Sequence, residues 1–476
     1  MRADLRGEAI MLYSRFLLTA LLATNAAAQL VTTIAGGGQG HADGVGTNAQ
    51  FTSLTGISVD PSTGTLFVAD RYYLRSMNLA SGLVTTFAGG GQGPPIDGAG
   101  TNAIFKSLGG VTVNGDTVFV SDGYYCVAIR TVTPSAVVST FAGQEMITCG
   151  YADGIGTNAG FGSSLSFVVD SLSTNLYVAD FGSKTIRFVS TSGLVSTIAG
   201  DPLNAGWADG TGSNALFNTP AGLTVDSLGT VYICDSGNHA IRAMKGDSVS
   251  TFVGTAQVAG FQDGVGSNAR FNYPRGITVD VSNILYVSDI GNFKIRRITS
   301  DGVVTTFVGG GANGFTSGYA DGLGTNAYFS YPFSITIDKA GSTLYVTDNE
   351  DVDNPTIRSV AILPTPSLTS STSPSPTSSP SSSPSPTLTG SPSAAAAAAA
   401  PPQTSTGVYI ATSLGCAIGG GLVVLLAQEG LRRYRAGRVV SARKVKEQQL
   451  PKFAASGAHS APLLLGVSDG GETPLN

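Results

Sequence analysis

The residue types that most often perform catalysis or hold metals are scarce in this chain. There are three histidines, His41, His239 and His459, and none of them has the spacing of a zinc site. No Gly-x-Ser-x-Gly motif with a suitable histidine partner is present, so the sequence does not indicate a serine hydrolase. The sequence therefore predicts no catalytic residue and no bound cofactor.

One acidic loop is a candidate calcium site. Its carboxylates are Asp348, Glu350, Asp351 and Asp353, and oxygen atoms are the ligands that calcium prefers. A solvated acidic loop is the favoured alternative. Calcium is thus the single candidate for a metal, and the sequence predicts no other ion.

Aspartate and arginine recur at regular places along the chain. Asp-Gly-x-Gly-[Thr/Ser]-Asn-Ala begins at Asp43, Asp97, Asp153, Asp209, Asp263 and Asp321. We interpret it as a turn stabilised by Asp and Asn. A second aspartate ends an apolar run, and in most copies an arginine follows five to seven residues later, as in Asp235 and Arg242. We hypothesise that this arginine returns to the aspartate across a hairpin; a solvated strand arginine is the alternative.

A bulky residue precedes the Asp-Gly element by two positions in most copies. The set is His41, Tyr151, Trp207, Phe261 and Tyr319. Aromatic side chains at a rim could form a partner-binding patch. Packing between neighbouring repeats is the favoured alternative, because every copy needs the same packing and a binding site does not.

The elements that carry these residues form six copies of one repeat over residues 31 to 362. Val-Thr-Thr-Ile-Ala-Gly at residues 31–36 recurs with variation in every later copy, and each copy contains four short β-branched runs bounded by Gly, Asp, Asn and Ser. Four strands per repeat of this length are typical of a propeller blade.

The two ends of the array predict how it closes. The array opens with one unpaired strand and ends with three, at 334–338, 344–348 and 356–362. Pairing them would close the ring and remove two exposed sheet edges. We therefore predict an all-β, six-bladed β-propeller over residues 29–363, closed by the N-terminal strand. A solenoid is the alternative, but it would need distinct capping repeats.

The repeat resembles that of the NHL family. Residues 271–280 read Phe-Asn-Tyr-Pro-Arg-Gly-Ile-Thr-Val-Asp, followed by Leu285–Asp289 and by Gly291–Arg296, a near-consensus unit. The first two copies depart from it, since Arg71-Tyr72-Tyr73 and Gly123-Tyr124-Tyr125 replace the Gly-Asn turn. The resemblance implies a propeller that serves as a docking surface for proteins or RNA, as an ectodomain module or, in a few relatives, as an enzyme.

The charge distribution argues against nucleic acid as a partner. Charged residues make up 12% of the chain and the net charge is −5. Residues 29–406 contain 15 basic and 25 acidic residues, so the sequence of the large domain has no basic face.

The chain begins with a predicted secretory signal peptide. Residues 1–28 contain Arg15, the apolar run 16–23 and an Ala-x-Ala cleavage site before Gln29; Met11 is an alternative start. An oxidising compartment would allow a Cys126–Cys149 disulfide. Cys234 lies in an apolar strand and is predicted to be a buried free thiol.

The segments after the repeats predict a membrane anchor. Residues 364–406 are rich in Pro, Ser, Thr and Ala and predict an extended stalk. Residues 407–427 carry no charge and are just long enough to span a bilayer. Arginines and lysines of the tail, residues 428–476, follow at once, which places the tail in the cytoplasm. Gly415 and Gly419 could pack two such helices into a homodimer, but general glycine richness is the favoured explanation.

These features predict a type I membrane protein at the cell surface or in an endomembrane. Its propeller would bind an extracellular protein or glycan and would not be an enzyme. The alternative is an extracellular metal-dependent lyase or hydrolase that uses the central channel of the propeller.

Overall fold

A computed structural model describes residues 29–363, except residues 125, 145–149, 164, 171–173, 312–313, 315 and 351–353. The predicted signal peptide (1–28), stalk (364–406), membrane helix (407–427) and tail (428–476) lie outside the described residues. Within the described part of the chain, no helix is long and apolar enough to cross a membrane.

The described residues form six antiparallel sheets of five strands each. The chain opens with strand β1 (Leu30–Ala35). Blade 1 contains β2 (Gly44–Val45), β3 (Leu54–Asp60), β4 (Thr65–Asp70), β5 (Tyr73–Asn78) and β6 (Leu83–Ala88). Blade 2 contains β7 (Gly98–Ala99), β8 (Leu108–Asn114), β9 (Thr117–Asp122), β10 (Ala128–Val132) and β11 (Val137–Ala142). Blade 3 contains β12 (Gly154–Ile155), β13 (Leu165–Val169), β14 (Leu176–Asp180), β15 (Thr185–Val189) and β16 (Leu194–Ala199).

The remaining blades repeat this order. Blade 4 contains β17 (Gly210–Thr211), β18 (Pro220–Val225), β19 (Val231–Asp235), β20 (Ala240–Lys245) and β21 (Ser248–Val253). Blade 5 contains β22 (Gly264–Val265), β23 (Pro274–Val279), β24 (Leu285–Asp289), β25 (Lys294–Ile298) and β26 (Val303–Gly309). Blade 6 contains β27 (Gly322–Leu323), β28 (Pro332–Ile337), β29 (Thr343–Glu350), β30 (Asn354–Ala361) and the opening strand β1.

The ring closes as the sequence predicted. Strand β1 pairs with β30, with Val31 opposite Val360 and Thr32 opposite Ser359. The inner strands β3, β8, β13, β18, β23 and β28 contact one another in succession, and β28 contacts β3. The six-bladed propeller is therefore confirmed, and the solenoid alternative is wrong.

The Asp-Gly element is more than the predicted turn. In every copy its Gly-x pair forms the short outermost strand, such as β17, which pairs with β21. A single 3₁₀ turn follows in each copy, at Gly46–Asn48, Gly100–Asn102, Gly156–Asn158, Gly212–Asn214, Gly266–Asn268 and Gly324–Asn326. Two further 3₁₀ turns occupy Ser236–Asn238 and Ile290–Asn292. Each blade thus has a fifth strand that the sequence pattern did not separate from the turn.

The hydrophobic core lies between neighbouring blades. A phenylalanine eight residues after each Asp-Gly aspartate is almost completely buried: Phe51, Phe105, Phe161, Phe217, Phe271 and Phe329. Phe105 packs with Phe67 and Leu74 of blade 1 as well as with Leu108 of its own blade. Burying a side chain of this size contributes roughly 1.5–3 kcal/mol, so the six phenylalanines account for much of the packing between blades.

Close approach of the inner strands makes the central channel narrow. A Cβ atom on Gly222 would lie 2.1 Å from the carbonyl oxygen of Arg275 on the next inner strand, and one on Gly56 would lie 2.5 Å from that of Gly109. Glycine is needed at these two positions because any larger residue would push the strands apart.

Candidate functional site

Each blade buries one arginine between two aspartates. In blade 4, Nη1 of Arg242 donates to Oδ2 of Asp235 at 2.8 Å, and Nη2 donates to Oδ1 of Asp209 at 2.7 Å. The guanidinium also lies 5.3 Å from the ring centre of Phe217. The hypothesis of an Asp–Arg pair across the hairpin is therefore confirmed, and the arginine is buried, not solvated.

The same triad occurs in all six blades. Its members, in the order inner aspartate, arginine and Asp-Gly aspartate, are Asp70, Arg75 and Asp43; Asp122, Arg130 and Asp97; Asp180, Arg187 and Asp153; Asp235, Arg242 and Asp209; Asp289, Arg296 and Asp263; and Asp348, Arg358 and Asp321. Six identical environments argue for a structural role, because a catalytic centre needs only one. We call these groups the blade triads.

Burial governs the acidity of the two inner aspartates Asp235 and Asp348. It raises the pKa of Asp235 to about 6, against the opposing hydrogen bond from Asn238 and the charge of Arg242. It raises the pKa of Asp348 to about 6 in the same way, against the charge of Arg358. The pKa of Asp209, the outer aspartate of blade 4, is lowered instead. Burial is the largest single effect and would raise this pKa, but the hydrogen bonds from Thr251 and Arg242 together outweigh it.

One calcium candidate belongs to a blade triad. Asp348 is buried, and its Oδ1 accepts hydrogen bonds from the backbone N–H groups of Ser330 and Tyr331. Asp351, Asp353 and the side chain of Glu350 lie outside the described residues, so the calcium site stays a prediction. No group of three or more His, Cys, Asp or Glu residues suited to a metal occurs within the part of the chain that the structure describes.

The cysteines in the propeller differ in state. Cys126 is disulfide-bonded. Its predicted partner, Cys149, lies outside the described residues, so that pairing remains a prediction. Cys234 is free and buried, as predicted, and burial raises the pKa of its thiol well above the usual range.

One face of the propeller collects exposed aromatic residues. Because strands within a blade alternate in direction, the loop that joins β4 to β5, and its equivalent in each other blade, emerges on the same face as the segment leading into the inner strand. We call this the aromatic face. Its rim residues are His41, Tyr151, Trp207, Phe261 and Tyr319, and its central residues are Tyr72, Tyr124, Tyr273 and Tyr331.

The rim residues do not fill the space between blades. Trp207 is 53% exposed and Tyr319 is 55% exposed, and Tyr151 and Phe261 are similarly accessible. His41, also exposed, stacks on Tyr73 with ring centres 5.3 Å apart. The buried phenylalanines, and not these half-exposed residues, fill the core between blades, and the partner-binding patch stays a prediction.

The central tyrosines were missed by sequence reasoning. Tyr273 is 56% exposed, its ring meets that of His239 edge-on at 4.7 Å, and its backbone N–H donates to Nδ1 of His239 at 3.1 Å. In blade 1, Arg71 lies over the ring of Tyr72 at 4.9 Å, and in blade 2 Tyr124 is exposed. The departures of these two copies from the Gly-Asn turn were visible in the sequence, but their location on the aromatic face was not.

A cavity of about 110 Å³ lies in the central channel. Six apolar side chains, one from each inner strand, line one level of it: Ile57, Val111, Phe167, Leu223, Ile277 and Ile335. At the level toward the aromatic face the lining includes Arg275, Phe333 and Phe181. The channel therefore changes from an apolar interior to a mouth that carries a positive charge.

Comparisons with known proteins were consistent with this architecture. A family model for the NHL repeat matches residues 217–244. NHL repeat-containing protein 2 of Gallus gallus is 27% identical over 312 residues, which cover 58% of this chain and 43% of that protein. Protein SUPPRESSOR OF QUENCHING 1, chloroplastic, of Arabidopsis thaliana is 26% identical over 286 residues, which cover 55% and 26% of the two chains. The chain spans less than half the length of these relatives.

A solved structure shares the fold. A protein of unknown function from Bacteroides thetaiotaomicron superposes with a TM-score of 0.54 at 21% identity, over 70% of this chain and 76% of that one. At this level of identity the similarity concerns the fold alone. Taken with the motifs and the family match, the chain contains an NHL repeat, is related to NHL repeat-containing proteins and folds as a six-bladed β-propeller.

Proposed function

We propose that the propeller is a binding module whose aromatic face recognises an extracellular protein or glycan, and that it acts by binding and not by catalysis. The proposal rests on the exposure of these aromatic residues. Tyr and Trp offer a large apolar area with few rotatable bonds, and such residues dominate the energetics of interfaces.

The fold itself does not require these side chains. The phenylalanines at the blade interfaces are almost fully buried and contribute to the packing, and the blade triads hold one buried ion-paired arginine in each blade. Trp207 and Phe261 are about half exposed although each lies beside a well-packed blade. Exposed aromatic residues that cost solubility without adding to the core are best explained by a partner.

The proposal includes a location. The signal sequence in residues 1–28, the uncharged segment 407–427 and the basic residues that follow it support a type I membrane protein at the cell surface or in an endomembrane. The Pro/Ser/Thr-rich residues 364–406 would hold the propeller away from the bilayer, so that its aromatic face can reach a ligand.

Binding of residues 29–363 to arrayed extracellular proteins and glycans tests the proposal. This segment contains all six complete sheets, including the closing strand pair of β1 and β30. We expect the Trp207→Ala/Phe261→Ala variant to bind its ligand at least tenfold more weakly, since an aromatic residue at the energetic centre of an interface typically contributes about 2 kcal/mol.

The opposite face provides a matched control in the same two blades. Leu228 and Val281 are 70% and 79% exposed and lie in the turns between β18 and β19 and between β23 and β24. The Leu228→Ala/Val281→Ala variant should bind as the wild type does. A ligand whose affinity falls with this variant and not with the aromatic one would refute the choice of face.

The enzyme alternative stays a prediction with its own test. Stoichiometric zinc or calcium that remains with purified residues 29–363 after dialysis would favour a metal-dependent lyase or hydrolase over a binding module.

A further inference from the structure

One position of the inner strand breaks the six-fold pattern at the channel mouth. The residue before the central Gly or Ser of each inner strand is Thr55, Gly109, Leu165, Ala221, Arg275 or Phe333. Only blade 5 places a charge there. The arginines of the blade triads lie within their blades, whereas this additional arginine lines the central channel.

Arg275 differs from the triad arginines in its surroundings. Each triad arginine contacts two carboxylates, as Arg296 does with Asp263 and Asp289. Within the described part of the chain, the guanidinium of Arg275 has no carboxylate partner and no hydrogen bond. Burial lowers the pKa of this group, but an arginine keeps its charge in proteins. The channel mouth therefore holds a positive charge without a counter-charge from those residues.

Two aromatic rings lie close to this guanidinium. Its carbon lies 3.9 Å from the ring centre of Phe333 and 5.9 Å from that of Phe181. Such contacts restrict a guanidinium without using its N–H groups, which remain available to a ligand. Two parallel N–H groups match the two oxygens of a carboxylate.

The size and polarity of the cavity narrow the class of ligand. The cavity of about 110 Å³, lined by a ring of apolar side chains and by glycines and small polar residues such as Thr55 and Ser334, suits a small group. Arg275 is the one charged residue among the described residues that line the cavity, and a single cation balances a monoanion but leaves a phosphate dianion partly uncompensated. The aromatic residues at the mouth favour a ligand that has a flat apolar body beside its charge.

We propose that Arg275 binds the carboxylate of a small aromatic or apolar acid at the mouth of the central channel. Phe333 and Phe181 orient the guanidinium, and Tyr331, whose ring lies 6.0 Å from that of Phe333, flanks the entrance. The inference deepens the proposed function and rests on it, because the mouth opens onto the aromatic face.

Calorimetric titration of residues 29–363 with benzoate tests the inference, with benzamide as the neutral probe of equal shape. We expect benzoate to bind and benzamide to bind at least tenfold more weakly. The Arg275→Ala variant should lose roughly tenfold to a hundredfold in benzoate affinity, as expected when a charged hydrogen-bond donor is removed. Arg275→Lys should bind with intermediate affinity, because it keeps the charge but loses the paired donors.

Two controls separate binding from folding. Blade 4 already carries Ala221 at the equivalent position, so Arg275→Ala should unfold at the temperature of the wild type. Arg270→Ala removes an exposed arginine of the same blade and should leave benzoate affinity unchanged.

Several outcomes would overturn the inference. These are equal binding of benzoate and benzamide, unchanged binding by Arg275→Ala, no binding of benzoate, or stronger binding of inorganic phosphate. If a peptide binds through its C-terminal carboxylate where benzoate does not, the mouth serves a partner chain and not a small acid. Trp207→Ala/Phe261→Ala should bind benzoate normally, so failure of the proposed rim interface and failure of this site are distinguishable.

Discussion

The buried arginines dominate the chemistry of single residues in this propeller. Arg242 joins an aspartate at the end of β19 to one that precedes the outermost strand β17. A buried ion pair adds little net stability when compared with a well-packed apolar group, but removal of one partner leaves an unpaired buried charge. We infer that the triads fix where the outer segment attaches to its blade.

The Arg242→Ala substitution tests this role. Asp235 has no exposed surface, so it would be left buried without its ion-pair partner. We expect the free energy of unfolding of residues 29–363 to fall by about 3–5 kcal/mol, as measured by urea denaturation. Arg270→Ala, at an exposed site, should change it by less than about 0.5 kcal/mol. If both substitutions lowered the free energy of unfolding by similarly small amounts, the inferred role of the triad would be contradicted.

The raised pKa of Asp235 predicts a pH dependence. In the unfolded chain this carboxyl group ionises near its ordinary value of 3.8, whereas burial delays ionisation in the folded state to about pH 6. Between these values the folded state binds more protons, so stability should decrease as pH rises from about 4 to about 6.

Comparison with Asp235→Asn isolates this contribution, because asparagine does not titrate. Urea denaturation at pH 4, 5, 6 and 7 should show that the stability of the wild type, relative to the variant, decreases up to about pH 6 and is then constant. A relative stability that increases over this range would mean that Arg242 outweighs burial and lowers the pKa instead.

At the scale of secondary-structure elements, one strand has a role that the other strands do not share. Strand β1 comes from the opposite end of the repeat array from its neighbour β30 and lies between β30 and the short strand β27. Every other blade takes its long strands from one continuous segment. Without β1, blade 6 would present the unpaired edge of β30, and unpaired edges promote association between chains.

A chain that begins at residue 37 should therefore lose its cooperative thermal transition and associate. A synthetic peptide of residues 29–36 should restore the transition when added in excess, since it can re-form the pairs of Val31 with Val360 and Thr32 with Ser359. Circular dichroism and light scattering measure the two effects. A scrambled peptide serves as the control, and equal rescue by both peptides would contradict strand-specific closure.

At the scale of the whole molecule, the two faces of the propeller differ in character. The aromatic face carries the exposed rings and the mouth with Arg275. The opposite face carries aspartates that accept hydrogen bonds from the turns that follow them, such as Asp226 and Asp280. A ligand that meets both faces would thus encounter aromatic and cationic chemistry on one and anionic groups on the other.

The proposed membrane topology predicts which parts of the full-length protein are accessible. A tag inserted after Gln29 should be labelled by a membrane-impermeant reagent on intact cells, whereas a tag after Asn476 should be labelled only after permeabilisation. The reason is the cluster of arginines that follows residue 427, which favours the cytoplasmic side. Equal labelling of both tags on intact cells would refute this topology.

Much of the architecture was predictable because it is repetitive. Six copies of one strand pattern indicated six blades, and the unmatched strand at 31–36 indicated closure by pairing with the last blade. The ion pair between Asp235 and Arg242 followed from their short separation across a hairpin. The second partner, Asp209, did not, because it lies 33 residues before Arg242 and no local pattern links the two.

The sequence alone determined the number of blades and their closure, since both depend on strand patterns that can be read along one chain. Tertiary structure decided which side chains remain exposed. Trp207 and Phe217 are both aromatic and only ten residues apart, yet Phe217 is fully buried and Trp207 is half exposed. The tertiary structure also brings Arg275, Phe333 and Phe181 together from three different repeats. Contacts across blade boundaries depend on how sheets pack around the axis, and this packing is a property of the closed ring, not of any single repeat.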